Sequence, residues 1–389
     1  MGLKTFSKPS KVELLRQNRL EERMPTIAIP ALYRSLHEYL MQRIPDDCES
    51  RLTNLIWLMM GIYQARSVQL KLAARKVPIR AKQLSIVKRF GRFLCNGEVR
   101  IREWYCPFAT GLLSLAAVGG QIRLIIDGSK VSHGQQLLMV SLAYRRRSLP
   151  IAWTWVPSSR GHSTTAKQVK LLDYVYRLLP AGVKVSLVGD CEFDHPLLIE
   201  NLRFWGWDYA LRQPGNHLVL PRGSSLWQRI DALGLKPGMT FWLGNVVLTR
   251  ASPFPTHLVL HWQLGEKDPW FLATNLLHPQ PTLRLYRLRM WIEEMFGDLK
   301  KHGFDLEMTH LRHFLRLSRL TFVVCLLYLW WVALGEYVLA HALSGQVDRT
   351  DRHDLSIFRL GWDFLEDCLR LLDRIPSVAL PNFCSVSGG

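Results

Sequence analysis

Between residues 121 and 211 the hydrophobic pattern changes period in an order that few folds accept. Residues 121–126, 136–144 and 148–156 read as strands, with Gly128, Gly134 and an Arg145-Arg146-Arg147 corner as turn signals between them. Helical spacing then takes over. Ser163 is a candidate cap for a helix through Leu179, with Val169, Leu172, Val175, Tyr176 and Leu179 recurring on one side. A buried strand over 183–188 ends in Gly189-Asp190. Asp194-His195-Pro196 opens a second helix, with Pro at a favourable first-turn position, and 207–211 form a further short strand.

Three strands, helix, strand, helix, strand and, after an interruption, another helix is the order of a ribonuclease-H-like α/β core. In such a sheet the first and fourth strands are neighbours. Asp127, closing Leu124-Ile125-Ile126, and Asp190 would then lie close together although they are 63 positions apart in sequence. Open α/β sheets place chemistry outside strand ends, where both aspartates are expected.

A third acid lies in Tyr286-x2-Arg289-x3-Glu293-x6-Lys300. On an ideal helix these four residues fall within an arc of roughly 60°. Leu288, Ile292, Met295, Phe296 and Leu299 form an adjacent apolar stripe, which leaves Glu293 at the rim between core and solvent. Glu294, Asp298 and Lys301 project away from the stripe. Taken alone, Arg289 and Glu293 also fit an ordinary i,i+4 ion pair.

The third pattern, with Trp291-Ile292-Glu293-Glu294-Met295-Phe296 and the trailing Leu299-Lys300-Lys301-His302-Gly303-Phe304, resembles the third-acid motif of bacterial DDE transposases of the insertion sequence family four type. Leu124-Ile125-Ile126-Asp127-Gly128-Ser129 and Gly189-Asp190-Cys191-Glu192-Phe193-Asp194 are similar to its first and second acid motifs. The match spans about residues 80–345, and the third motif is the specific one.

The resemblance implies a cut-and-paste DNA transposase that acts on its own element ends as a synaptic homodimer. Asp127, Asp190 and Glu293 would hold Mg2+ or Mn2+, which prefer hard oxygen ligands. Tyr286, Arg289 and Lys300 would contact phosphates or the transposon end. Glu192 and Asp194 compete with Asp190 as second acid; Asp190 is preferred because it directly ends the apolar strand. His133, His162 and His195 are given no catalytic role. The rival functions are a nuclease without strand transfer and a DNA-binding regulator derived from a transposase.

Residues 216–280 are too long for a simple connection, and their strand-like runs are broken by Gly, Pro and Asn. They look like the β-rich insertion of the same family, in which Trp242, Trp262 or Trp270 would stack on a base or pack inside a small sheet. The expected organisation is a helical, basic DNA-binding region at 1–115, core at 116–212, insertion at 213–280, core again at 281–345, and a C-terminal helix and tail at 346–389.

Fifty Lys plus Arg against thirty-two Asp plus Glu give a formal charge of +18, enough to concentrate polyanions. The excess is uneven: residues 66–102 hold eleven basic side chains and one acid. Helices are expected over 52–63, 67–76 and 80–94, with Ser67 capping the second. Lys88, Arg89 and Arg92 are the candidate double-stranded DNA contacts. The first thirty residues read as an arm that orders on contact and lack the apolar core of a secretory signal. The run 320–335 is sixteen residues long, short of the roughly twenty a bilayer requires, so a buried helix and no membrane association are expected. Residues 355–372 form an amphipathic pattern before a loose tail at 385–389. Seven scattered cysteines without paired zinc spacing point to a reducing compartment, consistent with a cytoplasmic, nucleoid-associated protein.

Overall fold

A computed structural model describes residues 28–44, 48–131, 134–157, 162–349 and 354–383. The expected N-terminal arm, His133 and the expected tail lie outside the described residues, except for the start of the first helix.

Five strands form the centre: β1 (Gln121–Val131), β2 (Gln135–Tyr144), β3 (Arg147–Pro157), β4 (Lys184–Gly189) and β5 (Asp208–Arg212). They lie in the order β3-β2-β1-β4-β5. The meander β1-β2-β3 is antiparallel, while β1 pairs with β4 and β4 with β5 in parallel. That is the ribonuclease-H-like arrangement. The parallel steps are bridged by α6 (Thr165–Tyr176) and α7 (Pro196–Phe204), which follow five N-terminal helices along the chain. β2 and β4 are near-continuous apolar runs because helices cover them, as parallel-type sheets require.

The insertion does not form a separate sheet. Its strands β6 (Leu218–Leu220), β7 (Gln228–Arg229), β8 (Thr240–Leu248), β9 (Phe254–His261) and β10 (Trp270–Thr274) continue the central one. β10 pairs antiparallel with β5, Ala273 opposite Leu211, and gives a ten-stranded sheet. β5 would otherwise present unpaired N–H and C=O groups along an open edge, and β10 satisfies them.

The N-terminal helices are α1 (Ala28–Met41), α2 (Glu49–Ala65), α3 (Leu70–Lys76), α4 (Gln83–Cys95) and α5 (Ile101–Ala117). Ser67 does not cap α3; its hydroxyl accepts from the Gln69 N–H two residues on. These helices share one continuous apolar core with the sheet. Buried Arg319 reinforces the join by donating to the carbonyls of Leu94 in the last turn of α4 and Val99 in the connection that follows.

After the insertion come α8 (Pro279–Arg287), α9 (Met290–Leu299), α10 (Phe314–Ala340) and α11 (Ile357–Leu371). α10 extends well beyond the sixteen apolar residues noticed in sequence and is long and apolar enough to cross a membrane. Its most apolar window is 83% buried inside the protein, which makes it a core helix. It is tied to the sheet where Trp155 Nε1 donates to Thr321 Oγ1 at 3.0 Å. α11 is capped by Ser356, whose hydroxyl accepts from the Arg359 N–H.

Candidate active site

Asp127 does not end β1, contrary to the sequence expectation. The strand runs on to Val131, with Asp127 paired opposite Met139 of β2. On the other side, pairing with β4 stops at Ile125 opposite Val188. Asp127 therefore stands just past the point where β1 loses its parallel neighbour, and Asp190 follows the last residue of that neighbour. The two acids border the same gap.

A cleft of about 360 Å³ occupies this place, lined by Asp127, Asp190, Arg289, Glu293 and Lys300, with Gly128 and Ser129 along β1. Asp127 is only 7% exposed. Its Oδ1 accepts from the Gly128 N–H at 2.7 Å, and its Oδ2 accepts from Arg289 Nη1 at 3.2 Å. The same Nη1 donates to Glu293 Oε1 at 2.6 Å. Burial, opposed by Arg289 and reinforced by Asp190 and Glu293, pushes the Asp127 carboxyl up to about 7. One guanidinium thus compensates an acidic site only in part.

The residues of the third pattern do not share one uninterrupted helix. Between α8 and α9 the hydrogen bonds tighten to i→i−3, from Arg289 N to Tyr286 O at 2.9 Å and from Trp291 N to Leu288 O at 2.9 Å. Tyr286 consequently turns inward. It is 3% exposed and packs edge-on against Trp270 of β10, with ring centroids 5.0 Å apart. Burial, opposed by Arg289, raises its hydroxyl to about 12. Lys300 lies just beyond α9 and donates to the Lys130 carbonyl at 2.7 Å while pairing with Glu307 at 2.8 Å. It pins the end of α9 to β1 at the rim of the cleft.

Asp298, expected on the outer face of its helix, is instead 3% exposed. Arg147, after the tight β2-β3 corner, reaches it with Nε at 2.7 Å and also approaches exposed Glu294 at 3.3 Å. This buried pair fixes the placement of α9 on the sheet, and with it Glu293. No periodicity argument finds such a partner, because the charge that makes Asp298 tolerable in the core is 151 residues away.

The acids that compete with Asp190 point elsewhere. Glu192 Oε1 accepts from the Ser163 N–H and hydroxyl, and its Oε2 from Gln136. Asp194 faces His217 at 3.4 Å; burial raises its carboxyl, with His217 opposing. Ser163 therefore serves Glu192 and does not cap α6, whose N-cap is Thr164. His162 stands 3.6 Å from Glu192 and is largely exposed. His195 Nδ1 accepts from the Leu197 N–H at the start of α7.

The carboxylate oxygens of Asp127, Asp190 and Glu293 are the donor type that Mg2+ or Mn2+ takes, and they open on a cleft with room for water and phosphate. As they stand, no three His, Cys, Asp or Glu side chains among the described residues are gathered closely enough to hold an ion. Arg289, bridging Asp127 and Glu293, occupies the space between them. The donor set fits a divalent cation provided that this guanidinium moves aside.

On α4 the apolar side chains Ile86, Phe90, Phe93 and Leu94 turn inward. Lys88 and Arg92 are exposed, and half-buried Arg89 donates to Asn54 of α2. In the insertion Trp242 contacts His257 with ring centroids 5.1 Å apart, Trp270 lies between His261 and Tyr286, and Trp262 Nε1 donates to the Glu266 carbonyl.

The family described as transposase DDE domain matches residues 119–330. That stretch begins just before β1 and ends inside α10, so it contains all three acids. No curated protein matches the chain. Among solved structures, the piggyBac transposase synaptic complex with hairpin DNA is similar, with a TM-score of 0.42 and 11% identity over 96% of this chain and 86% of that one.

Proposed function

The chain belongs to the transposase DDE domain family, and from that premise we propose that it binds the terminal inverted repeats of an insertion sequence, cleaves at them and joins the 3′ hydroxyls to target DNA. The supporting observation is the convergence of Asp127, Asp190 and Glu293 on one open cleft.

In this reading the three carboxylates hold Mg2+ or Mn2+. Bound divalent ions supply activation of the attacking water or 3′ hydroxyl and stabilisation of the leaving oxygen. Asp127 and Asp190 present their oxygens from the parallel pair β1 and β4, a rigid base, while Glu293 closes the third side from α9. Arg289 exchanges its two carboxylate partners for a DNA phosphate, which its fork of N–H donors matches. Lys300 contributes a further positive charge at the rim. Tyr286, being buried, supports Arg289 from behind and reaches the element end only if the DNA opens the β10-α8 contact. Trp242, Trp262 and Trp270 of the insertion would stack on bases by giving up their present contacts with His257, Glu266, His261 and Tyr286. Two copies act together, one for each element end.

The test is to incubate the purified protein with end-bearing DNA and Mg2+. Cutting followed by joining is expected. Cutting without joining would instead favour a nuclease, and binding without cutting a regulator.

Lys88, Arg89 and Arg92 are the proposed phosphate contacts of α4. Replacing all three with glutamine should weaken end binding and reduce the steepness of the log K against log salt plot by about 2 to 3. Fluorescence anisotropy across a salt series measures both. An unchanged affinity with an unchanged slope would remove α4 from the interface.

A further inference from the structure

We propose that Glu192 is a positioning residue for the two strand-borne acids, through a buried hydrogen-bond brace that sets Asp190 and the β1 segment after Asp127. The inference rests on the reading that Asp127 and Asp190 hold a divalent cation.

Glu192 follows Asp190 by two residues, yet its carboxylate turns away from the cleft and its side chain is 7% exposed. Its contacts tie down two segments, the turn before α6, where exposed His162 also stands 3.6 Å from Oε2, and the start of β2. Oε1 accepts from the Ser163 backbone N–H at 2.7 Å and from the Ser163 hydroxyl at 2.5 Å, which holds the turn before α6. Oε2 accepts from Gln136 Nε2 at 3.0 Å, which holds the start of β2. Gln168 Nε2 donates to the Glu192 carbonyl at 3.1 Å and to Ser163 Oγ at 3.0 Å, so the serine proton is directed at the carboxylate. Gln136 and Gln168 are 2% and 1% exposed. Such a network confers rigidity because each buried member has a fixed direction.

Two of its consequences reach the cleft. The Glu192 main-chain N–H, whose place the side-chain brace holds, donates to Asp190 Oδ1 at 2.9 Å and orients that acid. Gly128, adjacent to Asp127, lies flat against the brace: a Cβ there would sit 1.9 Å from Gln136 Nε2 and 3.2 Å from Glu192 Oε2. The brace therefore meets both β1 and the β4 end, the two elements whose spacing sets the separation of Asp127 from Asp190. A carboxylate suits this place because it accepts three hydrogen bonds with no proton of its own to accommodate.

The experiment is Mn2+ binding followed by electron paramagnetic resonance on the full chain in complex with end-bearing DNA, whose phosphate draws Arg289 off the acids, with unfolding curves for each variant. Glu192→Ala should weaken Mn2+ binding by about 10- to 100-fold, the usual effect of removing a partner that orients a ligand. Glu192→Gln should stay near wild type, since its amide can donate to Gln136 Oε1, which has no hydrogen-bond partner among the described residues, once the Gln136 amide turns over. Ser163→Ala should give an intermediate loss, and it carries the test if Glu192→Ala fails to fold.

Equal loss in Glu192→Gln and Glu192→Ala would mean that the carboxylate itself takes the cation, overturning the positioning role. Folded Ala variants with wild-type Mn2+ affinity would overturn it as well. If the wild-type protein binds no Mn2+, the underlying assignment of Asp127 and Asp190 fails first, which separates the two cases.

Discussion

Alanine in place of Asp127, Asp190 or Glu293 is expected to lower the rate of cutting at element ends by about a thousandfold or more while end binding is retained. The size follows from what a metal-held phosphoryl transfer loses: several kcal/mol of charge stabilisation, at a tenfold change for each 1.36 kcal/mol. Binding should persist because the proposed α4 contacts are not among the residues that line the cleft. Asp127 needs a second variant, since it is buried and paired with Arg289. Asp127→Asn keeps the shape and removes the charge, so it should be equally inactive yet folded. Glu293 is the most exposed partner of the Arg289 bridge, at 42% of its side chain, and Glu293→Ala should unfold at the wild-type denaturant midpoint. Gel assays of cut and joined products read all four variants. Wild-type cutting by Glu293→Ala would remove it as the third acid and leave its contact with Arg289 as a plain helix ion pair.

Gly361→Ala is expected to destabilise the protein by about 3 kcal/mol or more, the upper range for forcing a group into a packed interior. A Cβ at Gly361 would lie 1.9 Å from the Trp331 carbonyl oxygen and 2.6 Å from the Gly335 nitrogen. Gly335 faces the same crossing, where a Cβ would meet the Ile357 carbonyl at 1.9 Å. α10 and α11 thus touch backbone to backbone, and this closeness lets Trp331 and Trp362 stack with centroids 4.6 Å apart. Alanine ordinarily improves a helix by about 1 kcal/mol over glycine. The clash is with main-chain atoms that cannot rotate away, so it outweighs that gain. Gly97→Ala is the control, because nothing among the described residues lies within 4 Å of a Cβ there. Urea unfolding of the three proteins settles the matter. A loss under 1 kcal/mol in Gly361→Ala would mean that the helices can separate at little cost.

Local signals carried the centre of this fold well. The change from strand to helix period located β1 to β5 and the helices between them, since each buries one face against a common core. Asp127 and Asp190 drew notice for a related reason, as charges that follow apolar runs, and the structure brings both to one cleft although Asp127 itself is 7% exposed. The sequence missed features that depend on partners distant along the chain. Asp127 reads as a strand terminus, yet β2 supports β1 through Val131 after β4 has ended. The joining of β10 to β5 depends on an open edge that only the assembled sheet exposes. Asp298 looks solvent-facing until Arg147 arrives from the β2-β3 corner. An ideal arc from Tyr286 to Lys300 ignores the tightened turn at Arg289, which sends Tyr286 inward and leaves Arg289 between two acids. Glu192 resembled a competing ligand because its distance from Asp190 is visible in sequence, whereas its hydrogen bonds to Ser163 and Gln136 are not.

The most direct measurement is the anomalous scattering of manganese in crystals of the protein bound to its element end. The expected map has manganese between the carboxylates of Asp127, Asp190 and Glu293, with the Arg289 guanidinium withdrawn from the first and third and turned toward a DNA phosphate. Manganese bound elsewhere, with Arg289 still bridging Asp127 and Glu293, would contradict the assignment of these three acids as the metal-holding centre.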